Sequence, residues 1–339
     1  MTATRTPEAG DYQARHALVR PGPLRRRALR WRTLRWLTLR WRTLHWLTLG
    51  WLTLRWPVAV VRTARPRQWP KNLLVFAAPL AAGSLGRPDG LSHALVAAAA
   101  FCCASVAVYF VNDVVDAERD RRHPRKRHRP VAAGELPPAH AVALAVACAA
   151  VALAAGPAIS APLLAAAVGG YLAMSFGYSL AGKHIPVAEL IFVASGFLLR
   201  VLGGAAATHV PPSAWFLAVC SLGALGVAIA KRYTELVSLG AAAIRHRPVM
   251  RWYRPGLLRL AQWAAACGMI ASYLAWAAGQ PGEDMAWHLA SALPLVAALL
   301  RFAALTAGRT AAAVEDLLTR DRPMLACELA WLGLFVAGI

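Results

Sequence analysis

The 339-residue chain is poor in charge. Asp, Glu, Lys and Arg together make up 16% of it, against about a quarter in an ordinary soluble domain. Acids are the scarcer kind, 16 against 37 Lys and Arg, so the net charge is +21. The six cysteines (Cys102, Cys103, Cys148, Cys220, Cys267, Cys327) all fall inside apolar stretches and none has metal-ligand spacing. That excludes a disulfide scaffold and leaves them as small apolar packing residues. No apolar leader core precedes residue 57, so a signal peptide is not expected. No nucleic-acid fold motif accompanies the positive charge, and nucleic acid is not an expected partner.

What the chain has in quantity is apolar surface, 58% of its residues. From Lys71 onward this collects into runs close to the ~20 residues an α-helix needs to cross a hydrocarbon core. A soluble enzyme and a disordered chain are excluded, and the fold class is all-α integral membrane. Nine spans are expected, at about 71–87, 91–111, 138–155, 160–178, 186–208, 213–230, 257–278, 285–306 and 323–338,. Loop charge orients them. The loops after the even-numbered spans hold seventeen Lys and Arg, and the opposite loops hold Arg87 alone. Positive-inside bias therefore predicts a multi-pass plasma-membrane protein with the basic loops, and any site among them, on the cytoplasmic side.

Two domains are expected. Residues 1–63 form a basic, low-complexity extension; fifteen Arg stand in residues 1–67 against Glu8 and Asp11. Within it Trp31, Trp36, Trp41, Trp46, Trp51 and Trp56 repeat every five residues. That period advances about 140° per repeat on a helix, so the tryptophans spiral and make no stripe. An interfacial segment on anionic lipid and a plain low-complexity tail both fit this pattern. Residues 64–339 form the transmembrane domain.

The chemistry collects at the inner end of the second span, where Asn112, Asp113, Asp116, Glu118 and Asp120 stand together. Asp113, Asp116 and Asp120, at i, i+3 and i+7, share one face of a continuing helix. Like charges so close repel unless a cation joins them. Hard oxygen ligands at this spacing suit Mg²⁺, which keeps waters and bridges carboxylates to substrate phosphates. The basic run Arg125, Lys126, Arg127, His128 and Arg129 offers donors for further phosphate oxygens,. An ordinary charged loop is the plain alternative.

The run Asn112 to Asp120, followed by Arg129-Pro130 and Gly134, resembles the first signature of the UbiA superfamily of intramembrane transferases, N-D-x-x-D-x-x-x-D and then R-P-x-x-x-G. The resemblance implies a nine-helix bundle with an intramembrane cavity opening sideways to lipid, and a Mg²⁺-diphosphate site. Aromatic prenyltransferases of the superfamily usually add an Asp-rich motif after the fourth span. Here that place holds Tyr178, Ser179, Lys183 and His184, with no acid until Glu189. This Y-S-x-x-x-K element looks like the decaprenyl-phosphate phosphoribosyltransferase branch. So do the stretch Arg65 to Asn72, the group Gly196, Arg200, Gly203 and Gly204, and the group Lys231, Arg232, Tyr233 and Glu235. Many relatives of that branch have Asp at the position of Glu189.

The branch implies transfer of 5-phosphoribosyl from phosphoribosyl pyrophosphate to a polyprenyl phosphate such as decaprenyl phosphate, in cell-wall arabinan precursor synthesis. Mg²⁺ would be held by Asn112, Asp113, Asp116 and Asp120. Asp113, Asp116, Tyr178 and Lys183 are the implied catalytic residues. Lys71, Asn72, Asn112, Asp120, Arg125, Lys126, Arg129, Arg200 and Lys231 are the implied substrate contacts. Arg200, deep in the fifth span, is a costly charge expected to face the bundle interior, on a phosphate, on Glu189 or in a structural pair. Lys231 is expected to open the loop after the sixth span. Membrane lipid is a further partner, and a homo-oligomer is compatible with the pattern. Two other functions fit less well: a UbiA-type prenyltransferase joining a prenyl diphosphate to an aromatic acceptor, and a transporter or lipid-binding protein.

Overall fold

A computed structural model describes residues 55–124, 126–180, 185–308, 314 and 320–339. Residues 31–54 of the pentad repeat lie outside them. The chain divides into two units, Met1–Pro57 and Val58–Ile339, and the architecture is that of the second. All regular structure among the described residues is helical. In chain order the α-helices are α1 (Arg55–Ala64), α2 (Ala77–Ala81), α3 (Gly90–Val115), α4 (Ala117–Arg121), α5 (Pro138–Ala158), α6 (Pro162–Leu180), α7 (Ala188–Ala207), α8 (Ala214–Leu239), α9 (Ala241–His246), α10 (Pro255–Ala278), α11 (Gly282–Ala307) and α12 (Arg322–Ala337).

Among the described residues six helices are long and apolar enough to cross a membrane: α3, α5, α7, α8, α10 and the Asp284–Ala307 part of α11. The chain is a multi-pass membrane protein. Sequence punctuation explains where its helices begin. Proline opens the first turn of α5, α6 and α10, where the missing N–H has no intrahelical partner to lose. Ser213 caps α8 by accepting the Phe216 N–H at 3.1 Å, and Asp321 caps α12 by accepting the Met324 N–H at 3.0 Å,.

The expected spans need two corrections. The first, expected as one helix over 71–87, is a 3-10 segment (Pro66–Phe76), the short α2 and a second 3-10 turn (Ser84–Gly86). Pro66, Pro70 and Pro79 cannot donate to an α-helical ladder, and Gly83 turns the chain at φ +59°. The sixth span does not end at residue 230. Helix α8 runs on to Leu239, so Lys231, Arg232 and Glu235 stand on a helix and not in a loop.

Sequential helices pack side by side: α3 with α5, α6 with α7, α7 with α8, α8 with α10, and α11 with α12. Helix α7 also lies against the 3-10 segment, and glycine makes that approach possible. A Cβ on Gly204 would come 1.8 Å from the Val75 carbonyl oxygen of that segment; on the α3 side, one on Gly203 would come 2.3 Å from the Phe101 ring,. The outside of the bundle is apolar. Leu163, Leu293 and Leu329, on three different helices, are 70%, 76% and 68% exposed, a surface suited to hydrocarbon and hazardous in water.

Candidate active site

The site is built on the end of α3. That helix stops at Val115, Asp116 takes the junction, and α4 continues from Ala117. Helical hydrogen bonds run across the break, from Asp116 N–H to the Asn112 carbonyl and from Asp120 N–H to the Asp116 carbonyl. Seven residues of straight helix would climb about 10 Å. Yet Arg129 Nη1 reaches both Asp113 Oδ1 at 3.2 Å and Asp120 Oδ2 at 2.7 Å, so the junction folds the two acids toward one point. Arg65 Nη2 also donates to Asp113 Oδ1, and its guanidinium lies 5.0 Å from the centre of the Tyr109 ring. Asp116 faces elsewhere, 3.6 Å from Arg119 Nη1. The three acids expected on one face thus divide into a joined pair and an outlier.

Arg129 is delivered by a tight turn. The Glu135 and Leu136 N–H groups both donate to the Pro130 carbonyl, at 2.8 and 3.1 Å, and Gly134 supplies the φ of +79° that the turn requires,. Arg62 of α1 clasps this turn, donating to Glu135 Oε2 at 2.6 Å and to the His128 carbonyl at 2.7 Å. Asn112 ties the acidic end of α3 to α6, since the Ser179 hydroxyl donates to Asn112 Oδ1 at 2.9 Å. The first motif and the Tyr178-Ser179 element therefore meet.

A second charged cluster adjoins through Tyr178. Arg247 Nη1 donates to the Tyr178 hydroxyl at 3.1 Å and to Glu189 Oε2 at 2.7 Å. Glu189 is fully buried, and its other oxygen is 3.0 Å from Arg232 Nε. Arg232 also donates to Glu235 at 2.8 Å. Burial works against the charge on Arg247, but Tyr178 and Glu189 more than offset it and hold its pKa above the ordinary value,. Tyr253 accepts the Val187 N–H at 3.0 Å. Burial, opposed by that N–H and reinforced by the Glu189 carboxylate, pushes the Tyr253 hydroxyl up to about 12. It is a neutral group at physiological pH.

Arg200 is buried among neutral acceptors: Asn72 Oδ1 at 2.7 Å, the Gly196 carbonyl at 2.6 Å, Ser105 Oγ at 3.1 Å and the Tyr171 hydroxyl at 3.2 Å. Its guanidinium also lies 4.5 Å from the Tyr171 ring centre,. The expected contact with Glu189 is not made, because Arg232 and Arg247 take that carboxylate. Asn72, 2% exposed, is spent on packing, accepting from Arg200 and donating to Cys102 Sγ at 3.0 Å. Lys71 Nζ lies 3.5 Å from Gln68 Oε1. Lys126 is exposed on the turn Lys126–His128, and Lys231 is exposed on α8. Arg125 and Lys183 lie outside the described residues.

Among the described residues no three His, Cys, Asp or Glu side chains gather closely enough to hold a metal ion on their own. That does not disqualify Mg²⁺, which proteins commonly bind through one or two carboxylates plus substrate phosphates. Asp113 and Asp120, hard oxygen donors converging on one nitrogen, are such a pair. Sequence reasoning passed over Arg65, Ser179 and Arg247 as members of this constellation. Arg65 opens a stretch that was noticed, but only the fold shows that it reaches Asp113.

Comparison with known proteins identifies the family. Residues 72–324 match the UbiA prenyltransferase family. The chain belongs to that family. A Mycobacterium tuberculosis protein named decaprenyl-phosphate phosphoribosyltransferase is 39% identical over 284 residues, covering 83% of this chain and 94% of that protein. A Corynebacterium glutamicum protein of the same name is 36% identical over 288 residues, covering 83% and 86%. Among solved structures, a UbiA homolog from Archaeoglobus fulgidus bound to DMAPP and Mg²⁺ superposes with a TM-score of 0.65 at 16% identity, over 83% of this chain and 98% of that one. That likeness bears on the family's fold alone.

Proposed function

We propose that the protein transfers 5-phosphoribosyl from phosphoribosyl pyrophosphate to a polyprenyl phosphate such as decaprenyl phosphate, releasing pyrophosphate. The observation that carries this is the 39% identity, over nearly its full length, to a relative named for that acceptor and that group. The charge pattern suits the reaction. An acceptor phosphate oxygen attacks ribosyl C1, the C1–O bond to pyrophosphate breaks, and pyrophosphate leaves with the electron pair. The nucleophile is already an anion, so no general base is required, and the work is positioning and neutralisation. C1 gains oxocarbenium character as the bond breaks, by analogy with glycoside chemistry.

In this reading Asp113 and Asp120, with Asn112 and Asp116 close by, hold Mg²⁺, which would neutralise the leaving pyrophosphate. Arg129, Lys126, Arg125, Lys71 and Lys183 clamp phosphate oxygens, and Lys231 is a further substrate contact. Tyr178, steadied by Arg247, orients the donor. Asn72 and Arg200 support this floor from beneath. The transmembrane domain over 64–339 is a nine-helix bundle with a side opening through which the lipid acceptor enters, preceded by a separate basic extension. It lies in the plasma membrane with the site on the cytoplasmic face, and serves cell-wall arabinan precursor synthesis.

The test is a proteoliposome assay with labelled phosphoribosyl pyrophosphate and decaprenyl phosphate, run beside geranyl diphosphate with an aromatic acceptor. Label in the lipid fraction only in the first reaction supports the proposal. Product only in the second would overturn it in favour of prenyl transfer.

A further inference from the structure

The pairing of charges at Asp113 bears on how this site fills. Two carboxylates, Asp113 and Asp120, meet two guanidinia, Arg65 and Arg129, and both guanidinia reach the same oxygen, Asp113 Oδ1. The group is electrically balanced. It is also layered: the Asp113 and Asp120 side chains are each 2% exposed, whereas those of Arg65 and Arg129 are 25% and 28% exposed. The guanidinia thus lie outside the two carboxylates they pair with, and Asp116, at 31%, is left to water.

A bare divalent cation therefore finds the Asp113 and Asp120 oxygens already engaged by guanidinia. A diphosphate is attracted instead, and its oxygens suit the planar guanidinium fork as well as a carboxylate does. Drawing Arg65 and Arg129 outward onto phosphate exposes Asp113 and Asp120 oxygens to a cation at the moment an anion arrives to balance it. Arg65 is placed for such a movement. It sits in the left-handed region at φ 51°, directly before Pro66 and between α1 and the 3-10 segment, a conformation an L-residue adopts at a cost.

We infer that Arg65, by occupying Asp113 until a diphosphate draws it off, is the positioning residue that makes divalent-cation uptake at this site wait for that anion. The inference deepens the proposed function and rests on its assignment of Asp113 to metal binding. It concerns the diphosphate alone, whichever group that diphosphate carries.

The experiment measures Mn²⁺ binding to the purified full-length protein by electron paramagnetic resonance, with and without inorganic pyrophosphate. Wild type, Arg65→Gln and Arg65→Lys are compared, with the melting midpoint of each recorded. Wild type is expected to bind bare Mn²⁺ weakly and to bind it at least about tenfold tighter with pyrophosphate, as removal of a nearby cation from a partly buried site implies. Arg65→Gln is expected to bind bare Mn²⁺ about tenfold tighter than wild type and to lose most of the pyrophosphate effect. Arg65→Lys, which keeps the charge, is expected to retain it. Equal Mn²⁺ affinity with and without pyrophosphate in wild type overturns the inference, and needs no variant to fold. So does an Arg65→Gln protein that binds bare Mn²⁺ no tighter than wild type. Neither result depends on a phosphoribosyl donor, so failure of the proposed transfer reaction is seen separately, in the lipid assay.

Discussion

Two carboxylate clusters stand at the basic end of the bundle, and they differ in whether a buried arginine accompanies the buried acid. At Asp113 and Asp120 the acids are buried and their arginines half-exposed, so the cations can turn to solvent or to a ligand. At Glu189 the acid is fully buried and Arg232, at 4% side-chain exposure, is buried with it, while Arg247, at 30%, reaches the surface. A buried ion pair whose members cannot reach water is costly to break, because the survivor stays uncompensated. The difference separates a place where charge is available for chemistry from a place where charge fixes shape. Tyr178 joins the two through Arg247.

The largest expected effect is on turnover. Asp113→Asn should lower it by about 10²–10³-fold while leaving the melting midpoint nearly unchanged, because Arg65 and Arg129 can move toward water. Steady-state rates and thermal unfolding of the purified variant check both halves, and an active Asp113→Asn protein breaks the comparison. Glu189→Gln should do the reverse. It strands Arg232 with Glu235 alone and should cost about 3 kcal/mol of stability, measured by denaturation in detergent, while the folded fraction keeps most of its activity. Tyr178→Phe removes one hydrogen bond, with Arg247, worth about 1 kcal/mol. A several-fold fall in kcat/KM with unchanged stability would place Tyr178 with the first cluster.

The smallest effect lies away from both clusters. Arg301 donates to Asp321 at 3.1 and 2.8 Å. That hydrogen bonding, with the Met324 N–H, holds the Asp321 carboxyl below its ordinary value of 3.8. The stability it lends is present above the unfolded-state value and is lost as pH falls through the lowered one. Asp321→Asn should therefore lower the melting midpoint slightly at neutral pH, leave it unchanged well below pH 3.8, and so flatten the acid limb of the melting profile,.

Much of the fold was legible because helices in lipid are apolar on nearly every face, so runs such as 91–111 and 257–278 announce themselves. The first span was misread because hydropathy does not register what Pro66, Pro70 and Pro79 do to backbone hydrogen bonding. The length of α8 was misread because Lys231, Arg232 and Glu235 look like loop residues. On a helix they cost little, and the reason for Arg232 being there, Glu189, is 43 residues away in sequence. The acidic motif and Arg129 were legible as a spacing. Arg65 and Arg247 were not, since one arginine in a basic stretch looks like another until the fold chooses its partner.

Thermal protection of the purified protein by a diphosphate in the presence of Mg²⁺ tests the central claim most directly. Phosphoribosyl pyrophosphate should raise the melting midpoint of wild type but not of Asp113→Asn, and should raise it further than geranyl diphosphate does. Protection by geranyl diphosphate alone, or protection by phosphoribosyl pyrophosphate that survives in Asp113→Asn, would contradict it.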